Sequence, residues 1–138
     1  MPSAAELIAE GREARSRGAF AAARCCYAAA AAIYREQNEL LAYAHTIRHV
    51  ADIYQDESNL HDAKPLYEES IELYRSSLST KILDLANALR PYALLTETQG
   101  KLESASKFWD EARQLYSALR LEPGVSECDE HLRKLLQL

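Results

Sequence analysis

At 138 residues the chain is long enough for one domain with its own core. Its net charge of −5 argues against nucleic acid, which needs a concentrated basic face, and no apolar run of about 18 residues is present to span a membrane. The start, MPSAAELIAEGREARSRG, has no basic segment leading into an apolar one, and the three cysteines have no framework spacing; both point to a cytoplasmic protein with reduced thiols.

Alanine, leucine and glutamate dominate, while glycine and proline number four each, so helix is favoured nearly throughout. The first predicted helix has its apolar stripe at Leu7, Gly11 and Ala14, with Gly11 marking a close helix contact. The second lies in GAFAAARCCYAAAAAIY, Gly18 to Tyr34, and holds the alanine run Ala28 to Ala32 in its interior. The third has its stripe at Ile47, Val50, Ala51 and Tyr54, and the fourth lies in SNLHDAKPLYEESIELY, Ser58 to Tyr74. The fifth uses Leu85, Leu89, Tyr92, Ala93 and Thr96. The sixth lies in GKLESASKFWDEARQLY, Gly100 to Tyr116, where Leu102, Ala105, Phe108, Trp109, Ala112, Leu115, Tyr116 and Leu119 recur at three and four residues. Pro123-Gly124 then breaks the pattern. Val125, Cys128, Leu132, Leu135 and Leu136 make a seventh amphipathic helix, suited to cover the open face of a stack. Gly18, Ser58-Asn59 and Gly100 stand before three of these helices as turn and capping residues. Pro65 falls in the second turn of its helix, where one lost hydrogen bond costs least; Pro91 falls mid-helix, where it should bend the axis and free the carbonyl of Asn87.

The second, fourth and sixth helices repeat one another. Aligned, they share Phe20/Leu60/Leu102, Ala23/Ala63/Ala105, Tyr27/Tyr67/Trp109, Ala30/Ser70/Ala112 and Tyr34/Tyr74/Tyr116, at offsets of 40 and then 42 residues. A period of this size marks a repeat architecture. Gly11, Ala14, Gly18, Phe20, Ala23, Tyr27 and Ala30 give the first repeat a resemblance to tetratricopeptide repeat (TPR) proteins. DAKPLYEESIELY, Asp62 to Tyr74, and DLANALRPYALL, Asp84 to Leu95, resemble the second-helix and first-helix motifs of the longer subtype seen in kinesin light chains. The chain departs from that subtype at Arg48-His49 and Arg90-Pro91, where paired asparagines are usual, and at Thr96, where a tyrosine is usual. The resemblance implies an all-α fold, a right-handed α-α superhelix forming a single domain over 1–138. It would hold three helix-turn-helix repeats, at about 3–36, 39–77 and 80–120, and a capping helix at about 125–137. It also implies a concave groove, lined by the first helix of each repeat, of a kind that commonly takes peptide tails.

At about 100° per residue, the polar stripe beside the buried one is Leu41, His45, Arg48, Asp52 and Gln55 in the second repeat. It is Leu83, Asn87, Arg90, Leu94 and Glu97 in the third, while the first contributes Arg12 and Arg15 beside Ala5 and Ile8. Arg48 matches Arg90, and Leu41 matches Leu83. Arginine suits bidentate capture of a carboxylate, and the leucines suit an apolar anchor. The expected partner is therefore a protein or peptide with acidic or C-terminal carboxylate groups and an apolar residue. Against this, Arg48 can pair with Asp52, and Arg90 with Glu97 through a neighbour, as ordinary surface ion pairs.

His45, His49 and Asp52 share one helical face and have the chemistry of zinc ligands. HTIRH lacks the glutamate of the zinc proteases, however, and Arg48 on the same face repels a cation. No metal or cofactor is expected, and the histidines read as groove wall, where a charged ring would make binding weaken as pH rises. No phosphate loop, nucleophile elbow, paired-cysteine metal motif or isolated acidic dyad is present. The sequence thus predicts a non-enzymatic interaction module, an adaptor or scaffold. Self-association through the first helix is the alternative, and an enzyme comes third.

Overall fold

In the computed structural model residues 1–137 are described, and their regular structure is wholly α-helical. The helices are α1 (Ala4–Ser16), α2 (Phe20–Glu36), α3 (Leu40–Asp56), α4 (Leu60–Ser76), α5 (Ile82–Thr98), α6 (Leu102–Ala118) and α7 (Glu122–Leu136). The chain divides into two compact units, Met1–Ser76 with α1 to α4 and Ser77–Leu138 with α5 to α7. In the first unit α1 packs on α2, α2 on α3 and α3 on α4; in the second α5 packs on α6 and α6 on α7. The all-α expectation and the number of helices agree with this, but Pro123-Gly124, expected to break the pattern before the last helix, lies in the first turn of α7, where proline gives up no intrahelical hydrogen bond.

Sequence chemistry explains where the helices stop. Five connections hold one residue each in the left-handed region: Gly18 (φ 75°), Asn38 (58°), Ser58 (60°), Gly100 (80°) and Arg120 (58°). After each, the next N–H reaches back five positions, from Ala19 to the Ala14 carbonyl (2.9 Å), Glu39 to Tyr34 (2.8 Å), Asn59 to Tyr54 (2.8 Å), Lys101 to Thr96 (3.1 Å) and Leu121 to Tyr116 (2.9 Å). This is the Schellman closure, which satisfies a terminal carbonyl while reversing the chain. Glycine supplies the conformation freely at two of the five; Asn38, Ser58 and Arg120 adopt it against a Cβ. The connection from Ser77 to Lys81 is longer and contains no residue of positive φ, and Leu78 on it is fully exposed.

In the first unit Ala14, Ala23, Tyr27, Val50 and Ile53 form one cluster, and Ala31, Tyr43 and Ile47 a second. Leu66 packs against both. Gly11 allows the first cluster to close, because a Cβ there would stand 3.0 Å from the Tyr27 ring. Ser70 sits fully buried and donates to the Ala44 carbonyl at 2.9 Å, so the polar member of the aligned Ala/Ser/Ala position ties α4 to α3.

In the second unit Leu89, Leu95, Ala105, Trp109, Ala112 and Cys128 are fully buried. Pro91 is buried within α5, which continues to Thr98. Gly124 is closely packed, since a Cβ there would meet the Tyr116 ring at 2.6 Å. The apolar stripe expected on α7 is only partly used. Cys128 is buried and Val125, Leu132 and Leu135 are half-buried, but Leu136 is 87% exposed.

Candidate functional site

In the first unit the stripe on α3 is an internal network more than an open wall. The Arg48 Nη1–H donates to Asp52 Oδ2 at 2.8 Å, and the Tyr67 hydroxyl donates to Asp52 Oδ1 at 2.5 Å. Gln55 Nε2 donates in turn to the Tyr67 oxygen at 3.2 Å. The Arg48 and Asp52 side chains are each only 14% exposed, which withdraws the pair from solvent. Burial pushes the Asp52 carboxyl up from its ordinary range, against the pull of Arg48 and the Tyr67 hydroxyl. Burial and the neighbouring carboxylate both push the Tyr67 phenol up, so it stays a donor.

His49 stacks flat on Tyr27 of α2, with ring centroids 5.3 Å apart. Its Nε2 stands 3.2 Å from His45 Nε2 and 3.5 Å from Arg48 Nη2. Arginine can only donate, so Nε2 of His49 is an acceptor, His45 donates to it, and the His49 proton belongs on Nδ1. That Nδ1 is buried without a hydrogen-bond partner, as is Arg48 Nε. Burial first, then the positive Arg48, the neighbouring His45, and the positive Arg15 and Arg12 lower the His49 pKa to about 3. His49 is therefore neutral at physiological pH. Asp52 commits its oxygens to Arg48 and Tyr67.

The remaining expected residues of this unit diverge. Arg15 pairs with Asp56 at 2.8 Å, Leu41 and His45 are half-buried, and Arg12 is exposed with no carboxylate partner among the described residues.

In the second unit three expected residues do meet. Leu83, Asn87 and Arg90 follow one another along one face of α5 and line a cavity of about 460 Å³. Its other walls are Tyr116 of α6 and Leu121, Pro123, Gly124 and Glu127 at the start of α7. This volume lies within the usual range for small-ligand and peptide pockets. Leu83 is 40% exposed and Leu121 39%, so the apolar surface is open to solvent. The Tyr116 hydroxyl donates to Asn87 Oδ1 at 2.7 Å, which fixes the amide and leaves its Nδ2 hydrogens with no protein partner among the described residues. Arg90 Nε and Nη2 donate to the two oxygens of Glu127, the second at 2.9 Å.

The expected pairing of Arg90 with Glu97 is thus replaced by one with Glu127. Glu97 instead accepts from Trp109 Nε1 and from His131 Nδ1, each at 2.9 Å, and His131 stacks on Trp109 with centroids 4.0 Å apart. Gln55 and Glu97, both expected in the groove, are each held by the aromatic residue twelve positions later, and Leu94 is half-buried. Sequence reasoning missed Tyr116, Leu121, Pro123, Gly124 and Glu127 as lining. Pro123-Gly124 carried a usable signal, because a helix starting there must bring its first turn against the preceding aromatic.

Compared with models of known protein families, the chain matches none, and comparison with curated proteins gives no sequence match either.

Proposed function

We propose that the chain is a non-catalytic interaction module of the tetratricopeptide class, with the right-handed stacking that class implies, and that the cavity of the second unit receives a partner peptide. The observation that carries this reading is the meeting of Leu83, Asn87 and Arg90 around one cavity whose lining is mainly apolar with a few polar groups. Leu83, Leu121 and Pro123 offer contact to an aliphatic side chain, while Asn87 Nδ2 and the Arg90 guanidinium offer donors to a carboxylate. The fitting ligand is a peptide with an apolar residue next to an acidic side chain or a free C-terminus. A cytoplasmic setting agrees with the free state of Cys25, Cys26 and Cys128.

The test is a library of decapeptides with free carboxyl termini, screened against the chain and against Leu83→Asp, with helicity of both checked by circular dichroism. Peptides that place a leucine-type residue beside a carboxylate should bind the parent chain and be lost with Leu83→Asp. Equal binding to both chains, or none to either, rejects the cavity as the binding site.

A further inference from the structure

We propose that Glu127 is a built-in competitor for this cavity: its carboxylate occupies the Arg90 guanidinium until the carboxylate of a ligand replaces it. The inference rests on the reading of the cavity as a binding site and adds a regulator to it.

Two Arg90 donors meet two Glu127 oxygens, which is the arrangement an incoming carboxylate would adopt. Both residues line the cavity, and their side chains are 44% and 34% exposed, so water reaches the pair and its exchange is easy. The contrast is internal. Arg48 and Asp52, withdrawn from solvent and held by Tyr67, cannot exchange partners without leaving buried charge unpaired.

The backbone at Glu127 is held independently of the ion pair. Its neighbour Cys128 is fully buried, Asp129 pairs with Arg113 of α6, and His131 is stacked on Trp109. Rotation of the Glu127 side chain therefore suffices to withdraw its carboxylate from Arg90, with no movement of the α7 backbone.

The ligand has something to gain that Glu127 does not use. Asn87 lies three residues before Arg90 on the same helix face and keeps its Nδ2 donors for the cavity. A carboxylate entering beside Leu83 reaches Arg90 and Asn87 together, whereas Glu127 approaches from α7 and engages Arg90 alone of the two. The affinity of the cavity is therefore set in part by a residue that need not touch the ligand.

The experiment titrates N-acetyl-leucyl-leucine, as free acid and as C-terminal amide, into the full chain and follows backbone amides of α5 and α7 by NMR. The variants are Glu127→Gln, Glu130→Gln and Arg90→Gln. Glu130 is an exposed residue on the same helix, outside the cavity, so its variant removes the same charge without releasing Arg90. The expected result is that the acid binds Glu127→Gln about two- to five-fold more tightly than the parent, the range of an exposed ion pair. Glu130→Gln should match the parent, and the amide should show no such gain. Equal tightening by Glu127→Gln and Glu130→Gln reduces Glu127 to general repulsion and overturns the proposal. Parent-like affinity in Glu127→Gln, together with loss in Arg90→Gln, overturns the competitor but leaves the cavity as a binding site. Absence of binding in every chain overturns both.

Discussion

A buried neutral histidine facing three arginines makes the first unit sensitive to mild acid. In the unfolded chain His49 takes up a proton near pH 6.5, whereas in the folded chain burial, followed by its neighbours Arg48, His45, Arg15 and Arg12, holds its pKa at about 3. Between those values the unfolded state binds more protons, so stability is complete above pH 6.5 and falls as pH drops. At pH 5 the difference works out at about 2 kcal/mol, against almost nothing at pH 7.5. Asp52, pushed up by burial, acts in the opposite direction at lower pH and is present in both chains to be compared. The perturbation is His49→Phe, which keeps a ring on Tyr27 and removes the titrating group. Urea unfolding of parent and variant at pH 7.5 and pH 5, followed by circular dichroism, gives the comparison. The parent should lose about 2 kcal/mol more than the variant across that interval. An equal loss in both, or an NMR titration of His49 in the folded chain centred near 6.5, refutes the burial argument.

Gly124→Ala should destabilise the second unit by about 1–3 kcal/mol, because its Cβ would stand 2.6 Å from the Tyr116 ring; thermal melting read at Trp109 fluorescence measures it. Ser58→Gly relieves a side chain held at φ 60° and should stabilise the first unit by about 0.5–1 kcal/mol in urea unfolding, while Gly18→Ala, at φ 75°, should destabilise by a similar amount. With a thiol reagent at pH 8, Cys25 should react first and Cys128 only upon unfolding, since Cys25 is exposed whereas Cys128 is buried and its pKa is pushed up to about 11. Mass spectrometry of the labelled peptides gives the order.

Helix periodicity made the fold readable. Ile47, Val50 and Ala51, and Leu89, Tyr92 and Ala93, are buried as their three- and four-residue spacing requires. Gly11 was legible for the same reason: a glycine amid good helix formers signals a close neighbour, here Tyr27. The site was less legible because a stripe angle says which way a side chain leaves its helix but not which partner meets it. Arg90 and Arg48 occupy the same register, yet one meets a glutamate 37 residues on and the other an aspartate one turn away. The state of His49 depends first on its burial, with Tyr27 of α2 stacked on the ring, which no spacing within α3 could reveal. Leu136 shows the limit of pattern alone: its position fits an apolar stripe, but no described residue covers it.

The repeated turn also determines where this chain can be cut. Gly18 and Ser58 lie forty residues apart in the same left-handed state, and the N–H that follows each closes the same backbone ring. Removing residues 19–58 would rejoin α1 to α4 across an unchanged seam, and pasting a second copy of that block would add a helix pair with no new loop to design. Gain or loss of such a block, by recombination in a gene or by hand, leaves the junction intact.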